Sequence, residues 1–501
     1  IVAVTALVLA AFAAPLLEPL LEPLLEPLLE PWISARFFSG KEPRQIDSLA
    51  VLPFANHGAG PEAEYLCDGI TESLINRFSQ LSHLKVMSRG AVFPRYKGRE
   101  ADARAVGREL GVEAVLTGSV AERGDELLIS IELVDTEDNT QIWGERYTRP
   151  RSGALAEEEI AREISLKLRP RLSAVEQERL AKRYTANPEA YHLYLRGRHI
   201  WNKRRREEFG KAIEYFNQAI EKDPTYALAW VGLADVYVLG GASSRTESAS
   251  RAKAAAMKAL EIDETLAEAH ATLGQSTLFH DWDPLSAETD FKRAIALNPN
   301  YATAHQWYAD CLAVMGRAGE ALEQMKRAQE LDPLSPSIIR DTGRILYYAR
   351  RYDEAIAQCR QALDLDARFE PALLTLGDAL ARKGMYQEAI ANYQKAADLT
   401  AGVTRTKALI AYAYGMSGAR EEARKRLEEL LALPKDRPLP AFDLATIYTG
   451  MGRKGEAFEW LERAYQEHHY RLIYIGVDPL FDPLRSDVRF RDLLGRIGLP
   501  Q

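Results

Sequence analysis

Two groupings in this chain have side chains whose types and spacing could do chemistry: Asp68 and Glu72 in "CDGITE", and His280, Asp281 and Asp283 in "FHDWD". Carboxylates one helical turn apart can share acid and base roles, and a histidine with two aspartates can hold a divalent cation. Neither has the company that completes a site. No base, nucleophile or glycine-rich phosphate loop accompanies Asp68 and Glu72, so a solvated helix face is the simpler expectation. The His280 cluster falls at an inter-helix turn with no second ligand group, which favours a turn with Trp282 packed against its neighbour. Cys67, Cys311 and Cys359 lie far apart without a CxxC pair, against a disulfide scaffold or a zinc site. HExxH, P-loop, GxSxG and kinase catalytic motifs are all missing, so no catalytic residue, metal or cofactor is expected. His468 and His469 are expected to be exposed.

The elements that must position these residues follow from length and pattern. At 501 residues the chain should hold two to four domains, and 47% apolar with 27% charged residues is ordinary globular composition. A net charge of −8 without a basic stripe speaks against nucleic acid as a partner. Residues 1–14, "IVAVTALVLAAFAA", read as a truncated transmembrane helix or a signal-peptide core with "AFA" as cleavage site. In the 15–46 linker, the run "PLLEPLLEPLLEPLLEP" has a proline every fourth residue, which forbids helix, and glutamates that forbid the bilayer. A spacer is the simpler reading of it, an SH3-type ligand the alternative.

Residues 47–150 read as βαβαβββ, an α/β domain with a mixed sheet covered on one face by two helices. "SLAVLPFANHGAGPEAEYLCDGITESLINRFSQL", "VGRELGVEAVLTGSV" and "QIWGERY" resemble the TolB-amino-terminal-like (FlgO-like) domain of bacterial envelope and signalling proteins. That resemblance implies a non-catalytic interaction module. Residues 151–186 form a helical connector broken at Pro170, with Ser173 and Glu176 as a capping box.

From 187 to 467 the sequence repeats. Ala287, Ala321, Ala355, Ala389, Ala423 and Ala457 follow one another at 34 residues, each with a small residue about twelve before it, such as Gly343 and Gly377. Gly316, Gly384, Gly418 and Gly452 stand five before their alanines, where the first helix must turn back. This resembles the tetratricopeptide repeat, in about eight copies, and implies an all-α superhelix whose first helices line a peptide-binding groove. The first-helix positions expected to be free for a partner are Gln306, Asp310, Arg340, Arg344, Tyr348, Asp378, Arg382, Tyr412 and Met416. Three arginines with neighbouring aromatics would suit an acidic segment or a carboxylate terminus, although solvated surface arginines are the plainer reading. "KRRR" (203–206) reads as a solvated turn, and 468–501 as a segment capping the open end of the array.

"YLRGRHIWNKR" and "VDPLFDPLRSDVRFRDLL" are similar to segments of bacterial serine/threonine kinases with tetratricopeptide tails and of related winged-helix regulators and cyclases. The expectation is a non-enzymatic, membrane-tethered sensor or scaffold that binds protein segments, with a regulatory tail of such an effector as the alternative. Arg36, Lys41 and Arg44 weakly favour a cytoplasmic tail, and the resemblance favours the periplasmic side of a bacterial inner membrane.

Overall fold

The computed structural model describes residues 46–57, 62–150, 164, 174–203, 205–240, 245–400, 404–432 and 439–500. The apolar opening, the proline-repeat linker, Pro170 and Ser173 lie outside them. Among the described residues no helix is long and apolar enough to cross a membrane.

The amino-terminal domain is built on β1 (Ser48–Val51), β2 (Ala55–Asn56), β3 (Lys85–Val86), β4 (Ala114–Arg123), β5 (Glu126–Asp135) and β6 (Gln141–Pro150). Their order is β3-β1-β4-β5-β6, with β2 paired to β4. β1 runs parallel to β3 and β4, while β4, β5 and β6 form an antiparallel meander, so the sheet is mixed as expected. β1 is buried along its whole length, which fits the apolar run Leu49–Val51 after Ser48. The helices are α1 (Glu62–Ser79), α2 (Arg89–Tyr96) and α3 (Ala103–Leu110). The two-helix expectation missed α2, an eight-residue helix that contains Pro94 and is started by Ser88, whose hydroxyl accepts from the Ala91 N–H. In "SLAVLPF" the first strand stops at Val51, before Pro53.

After α4 (Ala174–Ala181) come eight helix pairs: α5 (Pro188–Asn202) with α6 (Phe209–Lys222), α7 (Ala227–Val238) with α8 (Arg245–Ile262), α9 (Ala267–Ser276) with α10 (Pro284–Leu297), α11 (Ala302–Val314) with α12 (Ala318–Leu331), α13 (Pro336–Tyr348) with α14 (Tyr352–Leu365), α15 (Glu370–Arg382) with α16 (Tyr386–Leu399), α17 (Thr404–Met416) with α18 (Arg420–Leu431), and α19 (Ala441–Gly450) with α20 (Lys454–Gln466). The small residues let paired helices touch. A Cβ on Gly377 would stand 2.4 Å from the Tyr393 ring, and one on Gly343 3.0 Å from Cys359 Sγ. From the third pair onward the turn inside each pair takes a left-handed residue. Gly316, Gly384, Gly418 and Gly452 supply it at φ 77°, 78°, 82° and 72°, and Trp282 and Arg350 adopt it without glycine at 55° and 63°. In the third unit the small residue, Gly274, stands thirteen before Ala287 instead of twelve, and a π-helical turn over Thr277–Asp281 absorbs the extra residue.

The carboxy-terminal segment does more than cap the end of the array. Its 3₁₀ turns Tyr470–Tyr474 and Pro479–Leu484 fold back along the first helices of the later repeats, and α21 (Val488–Ile497) then packs on α20, with Arg496 on Glu462. The reach extends to the third unit, where Trp282 and His468 rings lie 3.7 Å apart and His468 Nε2 is 2.6 Å from the His280 carbonyl.

Candidate functional site

The groove positions expected to be free have partners inside the chain. Arg344 donates to Asp310 at 2.6 and 2.8 Å, to Asp341 at 3.0 Å and to the Tyr474 hydroxyl at 3.0 Å. Arg340 pairs with Asp341 at 2.8 Å, and Gln306 donates to Asp341 at 2.6 Å. Tyr348 stacks on Tyr474 at 5.5 Å, Asp378 accepts from the Tyr393 hydroxyl at 2.7 Å, and Arg382 reaches Asp482 at 3.5 Å and the Tyr412 hydroxyl at 3.3 Å. Tyr412 is fully buried, and Met416 packs half-buried against the core. The expectation that these positions stand open is corrected by two kinds of partner the spacing could not show: the chain's own residues 470–484 on Arg344, Tyr348 and Arg382, and neighbouring repeat residues on Gln306, Asp310, Arg340, Asp378 and Tyr412.

The energetics say whether that segment could leave. Leu472, Ile473, Ile475, Leu480, Phe481 and Leu484 are each 0–1% exposed, and Phe481 sits edge-on to Phe442 at 5.3 Å. At ~1.5–3 kcal/mol per buried apolar side chain, the six together contribute on the order of 10 kcal/mol. A segment held that strongly belongs to the core and is no exchangeable ligand.

In the earlier repeats the groove meets the α/β domain. α1 lies so close to α5 that a Cβ on Gly69 would fall 2.6 Å from Leu195 Cδ2. Glu72 accepts from Arg198 at 2.9 Å and Asn202 at 2.7 Å and lies 3.4 Å from Arg89, while Arg198 also reaches Asp235 at 2.7 Å. Asp68 accepts from Lys97 at 2.7 Å and meets His199 Nδ1 at 2.9 Å. The solvated-face reading of Asp68 and Glu72 is therefore corrected: they are 5% and 7% exposed and join the domain to the array. Burial alone would raise the Glu72 pKa, but Arg198 and Arg89 outweigh it and hold the carboxyl below its usual range.

Sequence reasoning also missed the inter-repeat turns as contacts. Asn298 donates to Ser79 Oγ at 2.8 Å, Asn300 to the carbonyls of Ser79 and Leu84 at 3.0 and 2.8 Å, and Ser88 donates to Asp332 at 2.8 Å. The usable signal was "LNPN" where a later unit has "LDPL". A carboxamide can donate to a carbonyl and a carboxylate cannot. Between α1, α5 and the starts of α7 and α9 lies a cleft with about 730 Å³ of space, its solvent mouth included, lined by Tyr191, Tyr194, Tyr226 and Glu268 among others.

Among the described residues the His280 cluster gathers no chemistry either. His280 meets Ser250 at 3.3 Å, Asp281 pairs with Lys253, and Asp283 caps α10 through the Ser286 N–H at 3.0 Å. Among the described residues no group of histidine, cysteine and acidic side chains is arranged to hold a metal. Cys67, Cys311 and Cys359 are buried, and burial pushes each thiol up to about 12, away from nucleophilic use.

Comparison with known proteins bears on both parts. Residues 44–161 match the second domain of HilA/YgeH-like transcriptional regulators. Residues 198–259, 278–339 and 340–403 match tetratricopeptide repeats. "Putative adenylate cyclase 3" of Rhizobium meliloti (strain 1021) is 34% identical over 231 residues, covering 45% of this chain and 39% of that protein. "Transcriptional regulator HilA" of Salmonella typhimurium is 27% identical over 144 residues, 28% of this chain and 26% of that protein. The chain thus spans well under half the length of these curated relatives. Among solved structures, one from a functional characterization of Pseudomonas aeruginosa pilF has a TM-score of 0.34 at 22% identity, covering 42% of this chain and 91% of that one. YrrB, described as a TPR protein with an unusual peptide-binding site, has a TM-score of 0.29 at 23% identity, covering 40% and 96%. The TolB-like and kinase resemblances are not shown by these matches. The chain carries tetratricopeptide repeats, preceded by an α/β domain similar to the second domain of HilA/YgeH-like regulators.

Proposed function

We propose that this chain is a non-catalytic, membrane-tethered sensor and scaffold, acting as the regulatory part of an effector of the cyclase or DNA-binding kind. The observation that carries it is the buried Glu72–Arg198–Asp235 chain, which joins the α/β domain to the array. A ligand or partner on either part therefore acts on one body, which is what a sensor coupled to an effector needs. The names of two partial relatives, an adenylate cyclase and a transcriptional regulator, support the effector classes. Protein segments, acidic ones among them, dock on the array outside the stretch sealed by residues 470–484.

The test uses the purified chain and detergent-solubilised membranes of its host. The chain should form no cyclic nucleotide from ATP, should fractionate with membranes, and should retain discrete protein partners. Ala389→Trp, which overfills the fully buried contact between α15 and α16, should lose those partners while hydrogen exchange in the β-sheet stays unchanged. Cyclic-nucleotide formation, a fully soluble chain, or equal capture by Ala389→Trp would each overturn the reading.

A further inference from the structure

The two edges of the sheet are not alike. β3, at one end, is two residues long, a form in which exposed edges are commonly blunted. β6, at the other, runs for ten residues with no proline before Pro150. Among the described residues it pairs with β5 alone, so its outer row of N–H and C=O groups meets no other strand of them. Seven of its ten residues are exposed, Ile142 at 43%. An edge of that length is a template for a further strand.

The charges along β6 say which strand fits. Glu145, Tyr147 and Arg149 share one face of the sheet with their β5 partners Ile131, Ile129 and Leu127. Glu145 is exposed, and among the described residues it has no ion-pair partner. Arg149 lies 5.8 Å over the Tyr147 ring and donates to the Thr148 carbonyl at 3.2 Å, which keeps its guanidinium close to the edge strand. A two-fold axis between two copies of β6 makes the strands antiparallel. Because side chains alternate, it sets each residue against one of its own face, with a single residue opposite itself at the centre. Centred on Glu145 or Arg146, such pairing brings like charges together, and centred on Gly144 or Thr148 it gives Glu145 no arginine. Centred on Tyr147, it sets Glu145 against Arg149 of the second copy, once on each side of the tyrosine pair.

We propose that β6 is the interface of a homodimer, in which residues 144–150 of two copies pair antiparallel about Tyr147 and continue the sheet across the two-fold axis. Opposite residues then have Cβ atoms about 4.5–5.5 Å apart, within reach of a carboxylate–guanidinium contact. The overlap ends at Pro150 on both sides, so the interface is small and the dimer exchanges with monomer. The pairing uses β6 alone and does not rest on the scaffold reading.

Sedimentation velocity of the full chain in mild detergent, across about 1–100 µM, tests it. The parent should pass from monomer to dimer within that range. Glu145→Arg and Arg149→Glu each set like charges opposite one another and should each weaken association about tenfold or more. An equimolar mixture of the two variants should recover the parent's dimer, because every altered residue then faces its opposite charge on the other chain. That recovery also shows that both variants keep β6 folded. Arg146→Glu, on the other face and opposite Thr148, should associate within about threefold of the parent. A parent that stays monomeric, single variants that dimerise as the parent does, or a mixture no better than its components would each overturn the proposal.

Discussion

Replacing Phe481 by alanine asks whether residues 470–484 are core or merely lodged in a groove. The ring is 0% exposed and packs on Phe442, itself 1% exposed, so its loss removes the transfer term and leaves a cavity, about 3–5 kcal/mol in all. Arg382→Ala is the contrast. It gives up a 3.5 Å contact with Asp482 and a 3.3 Å hydrogen bond to Tyr412, together about 1 kcal/mol or less because the pair is partly solvated. Repeat arrays open in parts, so a single global unfolding energy is the wrong readout. Hydrogen exchange followed by mass spectrometry on peptides covering 470–484 and 339–350 reports the local opening energy instead. At a factor of ten per ~1.4 kcal/mol, Phe481→Ala should speed exchange in both peptides by about a hundredfold or more, and Arg382→Ala by less than about tenfold. A small and equal effect from both variants would refute the reasoning. The segment would then be a loosely held occupant, and the groove behind it open to partners.

Gly377→Ala should cost about 1–3 kcal/mol, because the new Cβ meets the Tyr393 ring at 2.4 Å, and an unchanged circular-dichroism melt would contradict the close approach of α15 and α16. The pH dependence has a definite sign. Burial raises the Asp332 and Asp378 carboxyls to about 6, so between about 4 and 6 the folded state holds protons that the unfolded chain has released, and stability falls as pH rises through that window. Asp378→Asn should shrink the difference between melting midpoints at pH 4 and pH 7. A difference of parental size would show that the carboxyl titrates normally.

What the sequence determined by itself is local. A small residue twelve before an alanine brings two helices together, and a left-handed residue five before it turns the chain back. Those constraints act within one unit, so they recur at 34 residues and can be read without a structure. The turn keeps its φ even at Trp282 and Arg350, where packing of the pair overrides the preference for glycine. α2 was not legible, since its signal is one serine cap on a short helix that includes a proline. Tertiary structure alone decided what each first helix faces. Arg344 meets Tyr474 across 130 residues, Glu72 meets Arg198 across 126, and Ser88 meets Asp332 across 244. An arginine on an exposed-looking helix face has the same spacing whether water, a partner or its own carboxy terminus lies opposite. Periodicity records which side of a helix is apolar, and the closure of the groove depends on what the rest of the chain brings to that side.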